Sequence, residues 1–148
     1  MAVTNVLRGF FDARGRPIVG LQLTSGEYVS AQVDTGFNGW LLFSHIHAIG
    51  LGIGLPLFYD TQVTAAGGNE LDAGPLEVSI YWFGEIRSGQ AIVTAPPKPG
   101  SVRRISRDEQ EPLALIGTQL LRGCHLSMNF WSGVHFPVKI RKLRPRST

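Results

Sequence analysis

Two runs of alternating apolar residues flank a glycine turn early in the chain, and they limit the fold more than any other feature. Val19, Leu21 and Leu23 alternate with polar or small residues; "TSGEY" interrupts; Val29, Ala31 and Val33 then alternate again. A period of two puts every second side chain on one face of a strand, and the interruption reads as the turn of a β-hairpin. An earlier strand, Asn5 to Phe11, ends at the turn signal "DARGRP". Three strands therefore lead into "VDTGFNG", residues 33–39, where Asp34 stands on a turn built with glycine.

Beyond that turn the pattern stays β-rich. "WLLF" at 40–43 is a continuous apolar run, expected as a strand buried on both faces. Ser44 is positioned to cap a short helix over "HIHAIG", with Gly50 as its stop. "YDTQVTA" and "LEVSIYWF" read as strands of a second hairpin separated by "AGGNELDAG", with Gly67 and Gly68 at its tip. "SGQAIVTA" is a further strand. Residues 96–112, rich in Pro and mixed charge, read as a long surface loop. "LALIG" is then a buried strand, and "TQLLRG" a short helix with Thr118 as N-cap and Gly123 as stop. Leu126, Met128 and Phe130 alternate, "WSG" turns, and Val134, Phe136 and Val138 alternate once more.

A chain of 148 residues suits one domain. Eighteen glycines and nine prolines match a fold of short strands and many turns. The single cysteine, Cys124, excludes an intrachain disulfide framework and a cysteine-based zinc site. The first residues lack the basic-then-apolar pattern of a signal peptide, and no apolar run approaches the roughly 18 residues of a membrane span. A soluble, cytoplasmic protein without membrane association is the expectation. The net charge of +3 hides an asymmetry. Lys139, Arg141, Lys142, Arg144 and Arg146 fall in the last ten residues; setting these five aside leaves nine basic and eleven acidic residues, a formal −2. The body is therefore no basic nucleic-acid surface; the basic tail at 139–148, following a domain at 1–138, offers a site for polyanions, but a solvated, frayed terminus is the expectation and nucleic acid is not the expected partner.

An Asp-Thr-Gly triplet by itself arises by chance in roughly a few per cent of chains this long. Its surroundings are more specific. "VDTGFNG" at 33–39, the glycine-tipped hairpin around "AAGGNE" at 65–70 and "LIGTQLLRG" at 115–123, followed by "CHLSMNF", come in the order that resembles the retropepsin-like (clan AA) aspartic proteases. The resemblance covers about residues 15–138. Phe37 after Asp-Thr-Gly and the late "LLRG" resemble the prokaryotic branch. The resemblance implies an all-β fold, a closed or sandwiched β-barrel with one or two short helices, forming half of an acid-protease homodimer.

The chemistry points the same way. Peptide hydrolysis by water needs a base and an acid, and two carboxylates a few ångströms apart supply both, because they share one proton. Asp12, Asp60, Asp72 and Asp108 lie in turn or loop contexts without the flanking pattern of Asp34. One chain holds half a dyad, so a two-fold homodimer with Asp34 from each copy is expected. The resemblance implies that Asp34 is the catalytic carboxylate, that Thr35 braces the two loops across the dyad, and that Gly36 orients the carboxylate through its N–H. Phe37 and Asn38 would touch substrate; both depart from the small residue and the acid common in viral members, and Phe37 either packs beneath the loop or shapes a pocket. Ala66, Gly67, Gly68 and Asn69 would form the flap over an extended peptide, and Ile116 and Gly117 would support the loop from behind.

Other readings are plainer. Asp34 alone is compatible with a turn aspartate that accepts backbone N–H groups. His45 and His47 do not share a helical face, and His125 and His135 are isolated, so no metal site and no cofactor are expected. Cys124 reads as a structural thiol. Trp40, Trp82 and Trp131 read as core or interface residues rather than a base-stacking platform. "AGGNE" lacks the Gly-Lys-Ser/Thr of a phosphate loop. The leading expectation is an aspartic endopeptidase acting on peptide or protein substrates. Its rival is a catalytically silent or weakly active module of the same fold that dimerises or binds peptides.

Overall fold

The computed structural model describes residues 5–64, 70–96, 114–131 and 133–144. In chain order it contains β1 (Val6–Phe11), β2 (Pro17–Leu23), β3 (Tyr28–Val33), β4 (Leu41–Phe43), α1 (His45–Leu51), β5 (Thr61–Thr64), β6 (Glu70–Trp82), β7 (Glu85–Thr94), β8 (Ala114–Ile116), α2 (Thr118–Leu121), β9 (Cys124–Met128) and β10 (Val138–Lys142). The strands form one sheet in the order β5-β6-β7-β4-β8-β3-β2-β1-β10-β9. An extra pairing of β6 with β2, through Gln22–Tyr81 and Leu23–Ile80, closes six of them into a barrel. The fold is thus an all-β barrel with two short helices among the described residues. The β5–β6 hairpin and the β1-β10-β9 extension project from it.

The first hairpin forms as its alternation requires. Val19 pairs with Ala31 and Leu21 with Val29, so the apolar sets of both strands face the interior. Val19, Leu21, Leu23, Val29, Ala31 and Val33 are all buried. A slip of one residue would turn both sets to solvent, which fixes the register. Phe43, Ile80, Trp82, Val93, Ile116 and Leu120 complete the barrel core.

Several elements differ from the pattern-based reading. The segment 70–74 inside the expected separator "AGGNELDAG" is strand, and β6 runs for 13 residues. Gly74 allows this: a Cβ there would fall 2.0 Å from the Phe58 carbonyl oxygen, so only glycine lets the 56–58 segment cross so closely. Helix α1 ends one turn element later than expected, on Gly52 in the left-handed region rather than on Gly50. Ser44 does cap it, its hydroxyl accepting from the His47 N–H at 3.1 Å. Among the described residues the alternation at 130–136 builds no strand; β9 stops at Met128 and β10 begins at Val138. Residues 139–142, expected as the start of a basic tail, are instead the body of β10, paired on one side with β1 and on the other with β9. Val138 and Ile140 are fully buried, so apolar alternation on one face outweighs the charge on the other.

Candidate active site

The site grows from the end of β3. This strand runs parallel to β8, with Val33 level with Ile116. The Asp34 N–H continues the ladder by donating to the Ile116 carbonyl at 2.9 Å. The chain then turns: the Phe37 N–H donates back to the Asp34 carbonyl at 3.1 Å, and the Gly36 N–H donates to Asp34 Oδ1 at 2.9 Å. The half-buried Asp34 side chain is therefore held by its own turn, while Thr35, Gly36 and Asn38 are exposed.

Helix α2 clamps the turn from below. Its N-cap is Gly117, not Thr118, and no side chain caps it. The N–H groups that a helix start leaves open are taken by loop carbonyls instead. Gly117 N–H donates to Trp40 (3.1 Å), Thr118 N–H to Phe37 (2.9 Å) and Gln119 N–H to Gly39 (3.1 Å). The contact is so close that a Cβ on Gly117 would lie 2.1 Å from the Gly39 oxygen. Phe37 fills the gap from the other side. Its ring edge comes within 2.4 Å of a Cβ built on Gly39 and 2.7 Å of one built on Gly117, so the half-buried phenyl lies against bare backbone. Leu120, 1% exposed, anchors the helix in the core.

Asp34, Thr35, Gly36, Phe37, Asn38, Ile116 and Gly117 thus share one locale. Ala66, Gly67, Gly68 and Asn69 lie outside the described residues, although the hairpin legs that carry them pair from Thr61–Ala73 to Thr64–Glu70. Sequence reasoning missed Gly39 and Trp40. Trp40 leaves the turn buried, and a Cβ on Gly89 of β7 would fall 2.9 Å from its indole, so the exit of the loop is pinned to the barrel wall. The available signal was a bulky aromatic beside a second glycine, which pattern reading assigned only to the core.

The remaining candidates stand apart. His47 is buried rather than partly exposed, edge-on to Phe43 at 5.8 Å, and burial lowers its pKa; the half-buried His45 shifts the same way for the same reason. Cys124 is half-buried at the start of β9, and desolvation raises its pKa. Asp12 is the key of the β1–β2 turn, accepting from the Arg14 and Arg16 N–H groups and pairing with Arg16 Nε at 2.7 Å. Desolvation acts upward on its carboxyl, but these hydrogen bonds outweigh it and hold the group below its ordinary value. Among the described residues, no group of three His, Cys, Asp or Glu could hold a metal. No helix there is long and apolar enough to cross a membrane.

Comparison with known proteins places this geometry. No protein-family model and no curated protein matches the sequence. Solved structures do match. A retropepsin-like aspartic protease from Rickettsia conorii superposes with a TM-score of 0.58 at 19% identity, over 91% of this chain and 95% of that one. The EIAV protease, complexed with the inhibitor HBY-793, superposes with a TM-score of 0.53 at 15% identity, over 76% of this chain and 91% of that one. The fold is that of retropepsin-like aspartic proteases.

Proposed function

We propose that the protein is an aspartic endopeptidase, of the prokaryotic type with Phe after Asp-Thr-Gly, that hydrolyses peptide bonds as a homodimer. The observation that carries this reading is the Asp34 turn. One carboxylate oxygen is fixed by the Gly36 N–H, the turn is hydrogen-bonded to β8 and α2, and the side chain keeps access to solvent. A mere turn aspartate does not require a helix packed on bare glycine beneath it. The shared fold with two aspartic proteases adds support.

In this reading two Asp34 carboxylates meet on a two-fold axis and share one proton. The ionised member takes a proton from a water as it attacks the peptide carbonyl, and the protonated member donates to the carbonyl oxygen. The Gly36 N–H, donating to Asp34 Oδ1 in each copy, keeps both carboxylates oriented. Thr35 braces the loops across the axis. Phe37 and Asn38 touch substrate side chains, and Ala66, Gly67, Gly68 and Asn69 contact the extended peptide. The lone Cys124 accords with action in the cytoplasm.

A peptide library incubated with the purified chain from about pH 3 to 8 tests the proposal. Cleavage is expected, and Asp34→Asn should lower it by about 10²-fold to 10⁴-fold without loss of fold. Peptide capture without cleavage, unchanged in Asp34→Asn, would replace the protease with a peptide-binding module.

A further inference from the structure

Lys139, Arg141 and Lys142 are not part of a tail but lie in β10. Strand alternation sets Lys139 and Arg141 on the outward face of β10, while Val138 and Ile140 face the core. The register then aligns other strands with them. Arg8 of β1 lies directly opposite Lys139, and His125 of β9 directly opposite Arg141, with Ser127 opposite Lys139. All five are exposed. The three strands contain no Asp or Glu. Lys142 belongs to the other parity and pairs with Glu85 at 3.3 Å. Among the described residues, Arg8, Lys139 and Arg141 have no such acidic partner.

Like charges directly opposite each other weaken a strand pair. A fold that sets Arg8 against Lys139 without an acid carries that cost, and an anionic ligand would remove it. One exposed aromatic side chain continues the same surface. Phe10 shares the outward parity of Arg8 and is 50% exposed.

We propose that this outward face of β1, β10 and β9 binds single-stranded nucleic acid, a function separate from that of the Asp34 turn. Cations on a flat sheet follow the phosphates, and the exposed Phe10 ring beside them stacks an unpaired base. An acidic peptide would match the charge but leave the Phe10 ring without a role. A duplex would present phosphates but keep its bases stacked away from Phe10. The sequence pI of about 9.4 fits a polyanion partner.

Deleting residues 139–148 cannot test this, because β10 is an inner strand of the extension. Point substitutions can. Fluorescence anisotropy of a labelled oligothymidine of about 20 nucleotides, longer than one such module covers, reports binding to the full chain. The wild type should bind more weakly as salt rises from about 50 to 200 mM. The triple variant Arg8→Gln, Lys139→Gln, Arg141→Gln should bind at least about tenfold more weakly, with the log–log salt slope smaller by about 2. Phe10→Ala should weaken single-strand binding about tenfold and leave the slope unchanged. Lys142→Gln should bind as wild type. The triple variant should melt no lower than wild type, since it relieves like-charge contacts; if it does not fold, Arg141→Gln alone carries the test with a slope change of about 0.7. No salt-dependent binding by the wild type, or unchanged binding by the charge variants, would overturn the proposal. So would equal or tighter binding to duplex DNA, polyglutamate or phosphatidylserine vesicles.

Discussion

A methyl group on Gly117 would lie 2.1 Å from the Gly39 carbonyl oxygen and 2.7 Å from the Phe37 ring, and the nearest obstacle is backbone. The obstacle cannot rotate away, so Gly117→Ala must push α2 off the turn and break the three hydrogen bonds from residues 117–119 to the loop. We expect a stability loss of about 1–3 kcal/mol, the usual range for overpacking. Peptide cleavage should fall further, by about 10²-fold, because Asp34 would move with its turn. Gly36→Ala is the contrast. Its Cβ would meet only Asp34 Oδ1, at 3.3 Å, so thermal unfolding should change little while kcat drops. Thermal melts and kcat/KM on one peptide separate the two variants. The turn that holds Asp34 was legible from the strands that feed it. The clamp was not. Nothing in "GTQLL" says that Gly117, rather than Thr118, is the N-cap, because the decision lies with carbonyls some 80 residues earlier in the chain.

Elements were legible where one period governs both strands of a pair, as in β2 and β3. They were illegible where a distant segment decides. The start of β6 holds Gly74 because the 56–58 segment crosses there, and β10 hides five-residue alternation beneath a run of positive charge. Helix α1 adds a consequence for pH. His47 is buried, its Nδ1 has no hydrogen-bond partner among the described residues, and burial lowers its pKa. The unfolded chain, with His near about 6.5, binds that proton more readily than the folded chain does. Stability linked to His47 is therefore intact above about pH 6.5 and declines as pH falls from there toward the lower folded value. Urea midpoints should drop between about pH 7.5 and 5 in the wild type, and drop less in His47→Leu, which keeps the volume and removes the proton site. An equal acid loss in both proteins would assign it elsewhere. Since a carboxylate dyad works in acid, the result also bounds the range in which cleavage assays report on folded protein.

For the whole molecule the barrel supplies one Asp34 and one Gly117 clamp, and the proposed chemistry needs two carboxylates within a few ångströms. That requirement yields a quantitative test that does not depend on locating the interface. Wild type and Asp34→Asn chains have the same fold, so their copies should pair at random once exchanged. A mixed pair has one ionisable carboxylate and cannot share a proton between two, which leaves it without the acid–base couple. With equal amounts of each chain, about a quarter of the pairs retain both aspartates. Cleavage should then fall to about a quarter of that given by the same total of wild type, and follow the square of the wild-type fraction across a titration. A complete site in each monomer would instead give half, and a linear dependence. Dilution supplies an orthogonal reading: specific activity should decline as protein concentration drops below the dimer dissociation constant, and the loss should reverse on concentration. A linear mixing curve together with dilution-independent activity would mean that Asp34 acts without a second copy, and the shared-proton mechanism would have to be abandoned even if peptides were cut.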